Sequence, residues 1–265
     1  MDGIQIMSNE ALYIKELSIG YREKGRSAVI ASGINVSLCK GELVALIGRN
    51  GAGKSTLMRT LSAYQKPLSG KITYDGHSID SSAKELARKV SVVLTTPVSA
   101  DITAYDLVSL GRTPYTNFLG QMSSRDKDAV VKAMKIMGIE ELAERNVTTL
   151  SDGERQKCMI AKSLAQETPV MLLDEPTSFL DFPSKVQLFV TLKELARKHS
   201  KAILVSTHDM ELALRFAERI WLMHNNRLVA GTVEELSQNG SLDAFISNDD
   251  ICYNIKDNRI EITLI

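Results

Sequence analysis

The run Gly48-Arg49-Asn50-Gly51-Ala52-Gly53-Lys54-Ser55-Thr56 constrains this chain more than any other segment. An apolar stretch, residues 43–47, leads into it, and a helix-forming stretch, residues 57–63, follows. The spacing is that of a phosphate-binding loop, G-x-x-x-x-G-K-[ST], set between a strand and a helix. Gly48, Gly51 and Gly53 carry no Cβ, so the backbone can turn tightly and bring its N–H groups to phosphate oxygens. The helix that starts here adds unpaired N–H groups and a partial positive charge. Lys54 is expected to reach the β- and γ-phosphates, and the Ser55 hydroxyl to ligate Mg²⁺. Asn50 and Ala52 are expected to complete the cradle for a nucleoside triphosphate, and Thr56 to support the helix start or the α-phosphate side. A glycine-rich turn before a helix is the bland alternative; the flanking strand and helix favour the nucleotide.

Such a loop needs a folded core around it. The chain has 265 residues, 44% of them hydrophobic, enough for one large α/β domain or a core with a subdomain. Lys+Arg and Asp+Glu are both 32, so no overall basic field points to nucleic acid. Cys39, Cys158 and Cys252 show no C-x-x-C spacing, which fits a reducing compartment without structural disulfides or zinc. No stretch approaches the roughly eighteen uninterrupted apolar residues of a membrane span. Residues 1–10 lack the basic-then-apolar pattern of a secretory signal. The expectation is a soluble, cytoplasmic protein whose membrane role, if any, comes through a partner.

Short apolar runs alternate with amphipathic helical stretches, as in a mainly parallel sheet wrapped by helices. Strands are expected at residues 12–19, 34–38, 43–47, 71–74, 90–94, 170–173, 202–205 and 219–223. The N-terminal strands, with tight links such as Cys39-Lys40-Gly41-Glu42, read as an antiparallel addition to that sheet. Between Thr95 and Leu150 only helices are expected, at 104–110, 123–137 and 140–145. We therefore expect a helical insertion over residues 96–152, with Pro114 and Gly120 punctuating a loop inside it. The tail, residues 232–265, reads as one helix at 233–238 followed by a hairpin of residues 251–255 and 259–265.

Two further segments carry chemistry. Val170-Met171-Leu172-Leu173-Asp174-Glu175 is an apolar strand running into two acids. Asp174 suits a Mg²⁺ held directly or through water, and Glu175 suits orienting the attacking water. A buried strand followed by a polar turn is the alternative. In Leu150-Ser151-Asp152-Gly153-Glu154-Arg155-Gln156, Ser151 and Glu154 form an S-x-x-E capping box. A capped helix start with a serine hydroxyl and Gly153 beside it also suits an anion, and the two roles are compatible.

At this point the chain resembles the ATP-binding subunit of ABC transporters, whose signature LSGGQ or LSGGE lies just before the Asp-Glu strand. The resemblance runs over residues 11–231, with the motifs in the family order. It implies a P-loop NTPase core of RecA-like α/β fold within a single domain over residues 1–265. That core carries an N-terminal antiparallel β addition and the inserted α-helical subdomain, which has the signature at its end. Tyr21 sits where the family stacks an aromatic ring on adenine, although a strand-edge tyrosine needs no such role. Ser178-Phe179-Leu180-Asp181 resembles the loop that communicates across the dimer, and Asp181 before Pro183 could also simply start a helix. His208, in Ser206-Thr207-His208-Asp209, resembles the switch histidine that contacts the γ-phosphate. Residues 104–115, with Gly111-Arg112-Thr113-Pro114, look like a segment found in importers of iron–siderophore complexes, haem and cobalamin. A helix followed by a proline turn is the structural alternative there.

The resemblance implies an ATPase in which one subunit's phosphate loop and another's Ser151, Gly153 and Glu154 sandwich each nucleotide. The economical partner is a second copy of this chain. An importer would add a membrane permease dimer, a substrate-binding protein and a place on the inner face of the membrane. Catalysis would rest on Glu175, His208 and Lys54, with Ser55 and Asp174 at the metal. Three departures stand out. Thr96 occupies the place of the family's usual glutamine at the metal and the attacking water, so binding is expected intact and hydrolysis or coupling tuned differently. Asp152 replaces a signature glycine and should point away from the nucleotide, and Phe179 replaces a small residue. A soluble ABC ATPase without a permease, such as the iron–sulfur assembly type, or a weakly hydrolysing regulator would carry the same motifs.

Overall fold

In the computed structural model the described residues are 9–23, 26–80, 82–94, 100–118, 120–246, 251–254 and 259–262. The fold begins with two long antiparallel strands, β1 (Glu10–Glu23) and β2 (Arg26–Cys39). β3 (Leu43–Gly48) then runs into the phosphate loop and α1 (Lys54–Leu61). β4 (Ser69–Tyr74), the short β5 (His77–Ser78), α2 (Ala83–Leu86) and β6 (Val90–Val93) follow. Next come α3 (Ala104–Ser109), α4 (Ser124–Met137) and α5 (Asp152–Ala165), with one 3-10 turn between the first two and two between the last two. The chain returns to the sheet through β7 (Val170–Asp174), α6 (Phe182–His199), β8 (Ala202–Ser206), α7 (Met210–Phe216), β9 (Arg219–His224) and β10 (Arg227–Gly231). It ends in α8 (Val233–Gln238), α9 (Ser241–Ile246) and the hairpin β11 (Ile251–Asn254) and β12 (Arg259–Ile262).

The central sheet has the order β10-β9-β3-β8-β7-β6, parallel except for the β10 edge. Its inner strands are buried on both faces, and the two-residue period of a strand divides their side chains between two cores. Leu43, Ala45, Ile47, Met171, Leu173, Ile203 and Val205 face the core shared with α3 to α7. Val44, Leu46, Val170, Leu172, Ala202 and Leu204 face the opposite core, which β1, β2, β4 and α1 close.

The N-terminal strands do not extend the parallel sheet as the sequence suggested. They form a separate sheet, β2-β1-β4-β5, packed across it. β2 also starts eight residues before the expected 34, because its first half pairs with the end of β1. Residues 140–145 hold a 3-10 turn at Glu140–Leu142 instead of a helix. β10 and α9 were not foreseen; β10 is a short edge strand (Arg227 to Gly231) in which the exposed Arg227 and Val229 blur the burial pattern. Capping boxes set the N-termini of α3, α4, α5 and α8 through Thr103–Asp106, Ser123–Asp126, Ser151–Glu154 and Thr232–Glu235.

Candidate functional site

β3, β7 and β8 are adjacent and parallel, so they end at one edge of the sheet, where the loops after them converge. That edge is where open parallel sheets place their ligands. Gly53 takes the N-cap position of α1 with φ 102°, in the left-handed region that favours glycine. A Cβ there would lie 2.3 Å from Ile30 Cγ2, and one at Gly48 would lie 2.9 Å from the Met223 carbonyl oxygen. The loop thus turns tightly against β2 and β9, with Asn50, Gly51 and Ala52 at its crest.

Lys54, the first residue of α1, is buried and its Nζ donates to the Gly48 carbonyl at 2.8 Å. The ammonium is thereby folded back over the loop. Burial pushes its pKa below the usual lysine range, while the nearby Glu175 and Asp174 charges pull it back up. Ser55 is exposed beside it, and Thr56 is buried. Thr56 Oγ1 meets the Tyr21 hydroxyl at 3.0 Å, which fixes the tyrosine against α1 while the residue stays 44% exposed.

Asp174 is the last residue of β7 and is buried. Ser206, the last residue of β8, sits opposite it in register and donates its hydroxyl to Asp174 Oδ1 at 2.6 Å. The next residue, Glu175, holds φ at 49°, unusual for a residue with a side chain. Its N–H donates to both Ser206 Oγ at 2.9 Å and the Ser206 carbonyl at 3.2 Å. The Glu175 carboxylate reaches outward, where His208 Nε2 contacts Oε1 and the Ser178 hydroxyl donates to Oε2 at 3.3 Å. Ser206 was not among the residues expected from sequence to build the site. A serine closing an apolar strand beside the Asp-Glu strand was the available signal.

Lys54, Ser55, Asp174, Glu175 and His208 therefore share one edge, an arrangement of ammonium, hydroxyl, carboxylates and imidazole around an anion-seeking loop. Such a set can hold a metal-bound polyphosphate and orient a water against it. Thr96 lies outside the described residues.

Ser151, Gly153 and Glu154 belong to a different surface. Ser151 caps α5 and accepts from the Glu154 N–H at 3.3 Å, and the Glu154 carboxylate accepts from the Ser151 N–H at 2.8 Å. Arg145 adds an ion pair to Glu154 at 3.1 Å. Ser151, Gly153 and Glu154 line a cleft of about 440 Å³ with Leu180, Ser184 and Leu188, and no phosphate-loop residue borders it. Asp152 is turned onto Arg155, 2.9 Å away, which balances the charge that replaced a signature glycine. Asp181 caps α6 by accepting from the Ser184 N–H at 3.0 Å, and Phe179 beside it is 60% exposed.

The importer-like segment has a structural task. Gly111 packs so closely on α5 that a Cβ would lie 2.2 Å from the Lys162 carbonyl oxygen. Arg112 is fully buried, paired with Asp126 at 2.9 Å and Glu167 at 2.9 Å, and donates to the Ala165 carbonyl at 2.6 Å. Its guanidinium lies over the Tyr115 ring, 4.1 Å from the centroid.

Comparison with known proteins agrees with this construction. The family model described as ABC transporter matches residues 31–178. The ferric enterobactin transport ATP-binding protein of Escherichia coli (strain K12) is 39% identical, over 82% of this chain and 79% of that protein. An inward-facing transporter described as metal-chelate type superposes with a TM-score of 0.78 at 25% identity, covering 97% of each chain. A dimeric bacterial ABC transporter cassette superposes with a TM-score of 0.72 at 26% identity, covering 83% of this chain and 98% of that one. The chain thus belongs to the ABC transporter family, as an ATP-binding, ATP-hydrolysing subunit.

Proposed function

We propose that two copies of this chain close on two ATP molecules and drive a membrane permease that imports a metal chelate. The substrate class is an iron–siderophore complex, haem or cobalamin, delivered by a substrate-binding protein. The observation that carries this reading is the separation of the two half-sites. Lys54, Asp174, Glu175 and His208 meet at the sheet edge, whereas the capped start of α5 lines a cleft apart from the phosphate loop. A second copy supplies the missing half to each. The dimeric cassette above and the name of the ferric enterobactin relative support the assembly and the substrate class. Among the described residues no helix is long and apolar enough to cross a membrane, so docking on the inner face would use a separate permease.

The roles follow from the chemistry. Lys54 leaves the Gly48 carbonyl for the β- and γ-phosphate oxygens, and the N–H groups of residues 48–56 hold the phosphates. Tyr21 stacks on the adenine. The donor set suits Mg²⁺, because the Ser55 hydroxyl and the Asp174 carboxylate are hard oxygens. Ser55 and Asp174 are the residues that would hold it, together with the bound nucleotide. When bound, Mg²⁺ neutralises charge on the phosphates. Glu175 orients the attacking water, and His208 sits at the γ-phosphate. Ser151, Gly153 and Glu154 of the other copy face the same phosphate.

Glu175→Gln tests the assignment. Hydrolysis should fall by about 100-fold or more, ATP should still bind, and light scattering should show an ATP-dependent dimer. Hydrolysis at the wild-type rate in this variant would refute the role of Glu175. For the transport role, reconstitution with a permease should raise the ATPase rate; a rate indifferent to every candidate permease would favour a soluble ATPase.

A further inference from the structure

We propose that Ser206 is a positioning residue for ATP hydrolysis, a single hydroxyl that sets both carboxylates of the site. The inference rests on the reading that Asp174 serves the metal and Glu175 the water. Ser206 is fully buried at the end of β8, so its hydrogen bonds are made within the protein. The backbone N–H of Glu175 can only donate, so at 2.9 Å the Ser206 oxygen must accept there. The one hydroxyl proton is then directed at Asp174 Oδ1, 2.6 Å away, a short charge-assisted bond. The hydroxyl thus orients the Asp174 carboxylate from one side and anchors the Glu175 backbone from the other.

The anchor matters because Glu175 holds φ at 49°, which residues with side chains adopt only when the surroundings impose it. The Ser206 carbonyl, 3.2 Å from the same N–H, supports that conformation but cannot orient Asp174. From this backbone the Glu175 side chain reaches His208 and Ser178. Losing the hydroxyl would remove this restraint on the Asp174 carboxylate and let the Glu175 backbone relax. Misplacement on the ångström scale is enough to slow a positioned reaction severely.

Threonine and valine have the same shape and differ in the hydroxyl, so Ser206→Thr and Ser206→Val isolate it. Ser206→Ala makes the same comparison without an added methyl. Three quantities are measured: melting temperature, affinity for a fluorescent ATP analogue with Mg²⁺ and in EDTA, and kcat with KM. Ser206→Val and Ser206→Ala should lower kcat by about 10- to 100-fold. Their affinity in EDTA should match wild type, while the gain on adding Mg²⁺ shrinks. Ser206→Thr should restore most of both. Equal rates and equal Mg²⁺ gains in the threonine and valine variants would overturn the proposal, as would a wild-type kcat in Ser206→Ala. Glu175→Gln is assayed alongside. If it hydrolyses normally, the assignment of Glu175 fails; if it alone is slow, only the role of Ser206 fails.

Discussion

The conformation of single residues decides how the phosphate loop works. Gly53 shows this most directly, since both its φ of 102° and the 2.3 Å approach of Ile30 exclude a side chain. Gly53→Ala must either shift Ile30 or open the loop, a cost of about 1–3 kcal/mol for the backbone alone. We expect ATP affinity to fall by about tenfold or more, since each 1.4 kcal/mol is a factor of ten. Equilibrium binding measures this, and an unchanged affinity would show that the loop tolerates the side chain. The glycine pattern, the lysine and the Asp-Glu pair were legible in the sequence because their spacing is local. The pairing of Tyr21 with Thr56 was not, since it joins residues 35 apart and depends on how β1 lies over α1.

At the scale of elements, the helical layer between β6 and β7 is pinned from inside. Arg112, in the turn after α3, joins Asp126 in the first turn of α4 to the C-terminal end of α5 at Ala165 and Glu167. Removing one member of a buried ion pair costs about 3–5 kcal/mol. Arg112→Ala should therefore lower the unfolding free energy by about that amount, whereas Arg197→Ala, an exposed pair with Glu218, should cost under about 1 kcal/mol. Chemical denaturation compares the two, and similar losses would mean that Arg112 is not the clamp. Hydrogen bonds from Ser123, and then Arg112, hold the Asp126 carboxyl below the usual range. Its contribution is thus complete above the ordinary aspartate pKa and is lost as pH falls through the lower, folded value. The Gly111-Arg112-Thr113-Pro114 segment was visible in the sequence as a resemblance. Its mechanical role was not, because the partners lie 14, 53 and 55 residues away.

Among the described residues two cores lie on either side of the central sheet, and a buried thiol ties one of them to pH. Cys158 is buried where α5 packs on the sheet, and burial, with Glu154 nearby, pushes its thiol up to about 11. A raised folded pKa means that the thiol stabilises the fold fully below the unfolded value, near 9.0, and loses that contribution as pH rises through about 11. Denaturation of wild type and Cys158→Ala between pH 8 and pH 10.5 should show a smaller alkaline loss in the variant; equal losses would contradict it. What the sequence determined by itself was what period and spacing can carry: the parallel strands, the Ser151–Glu154 helix cap, the glycine-rich loop with its lysine, and the Asp-Glu pair at the end of β7. Those features depend on neighbours within a few residues, where side-chain type and backbone preference act together. What only the tertiary structure decided was placement across long separations. It put the N-terminal strands in a sheet of their own, set Ser206 between Asp174 and Glu175, and left Ser151 on a cleft apart from Lys54. Packing free energy fixes such contacts only when all the elements are present, and no local pattern encodes them.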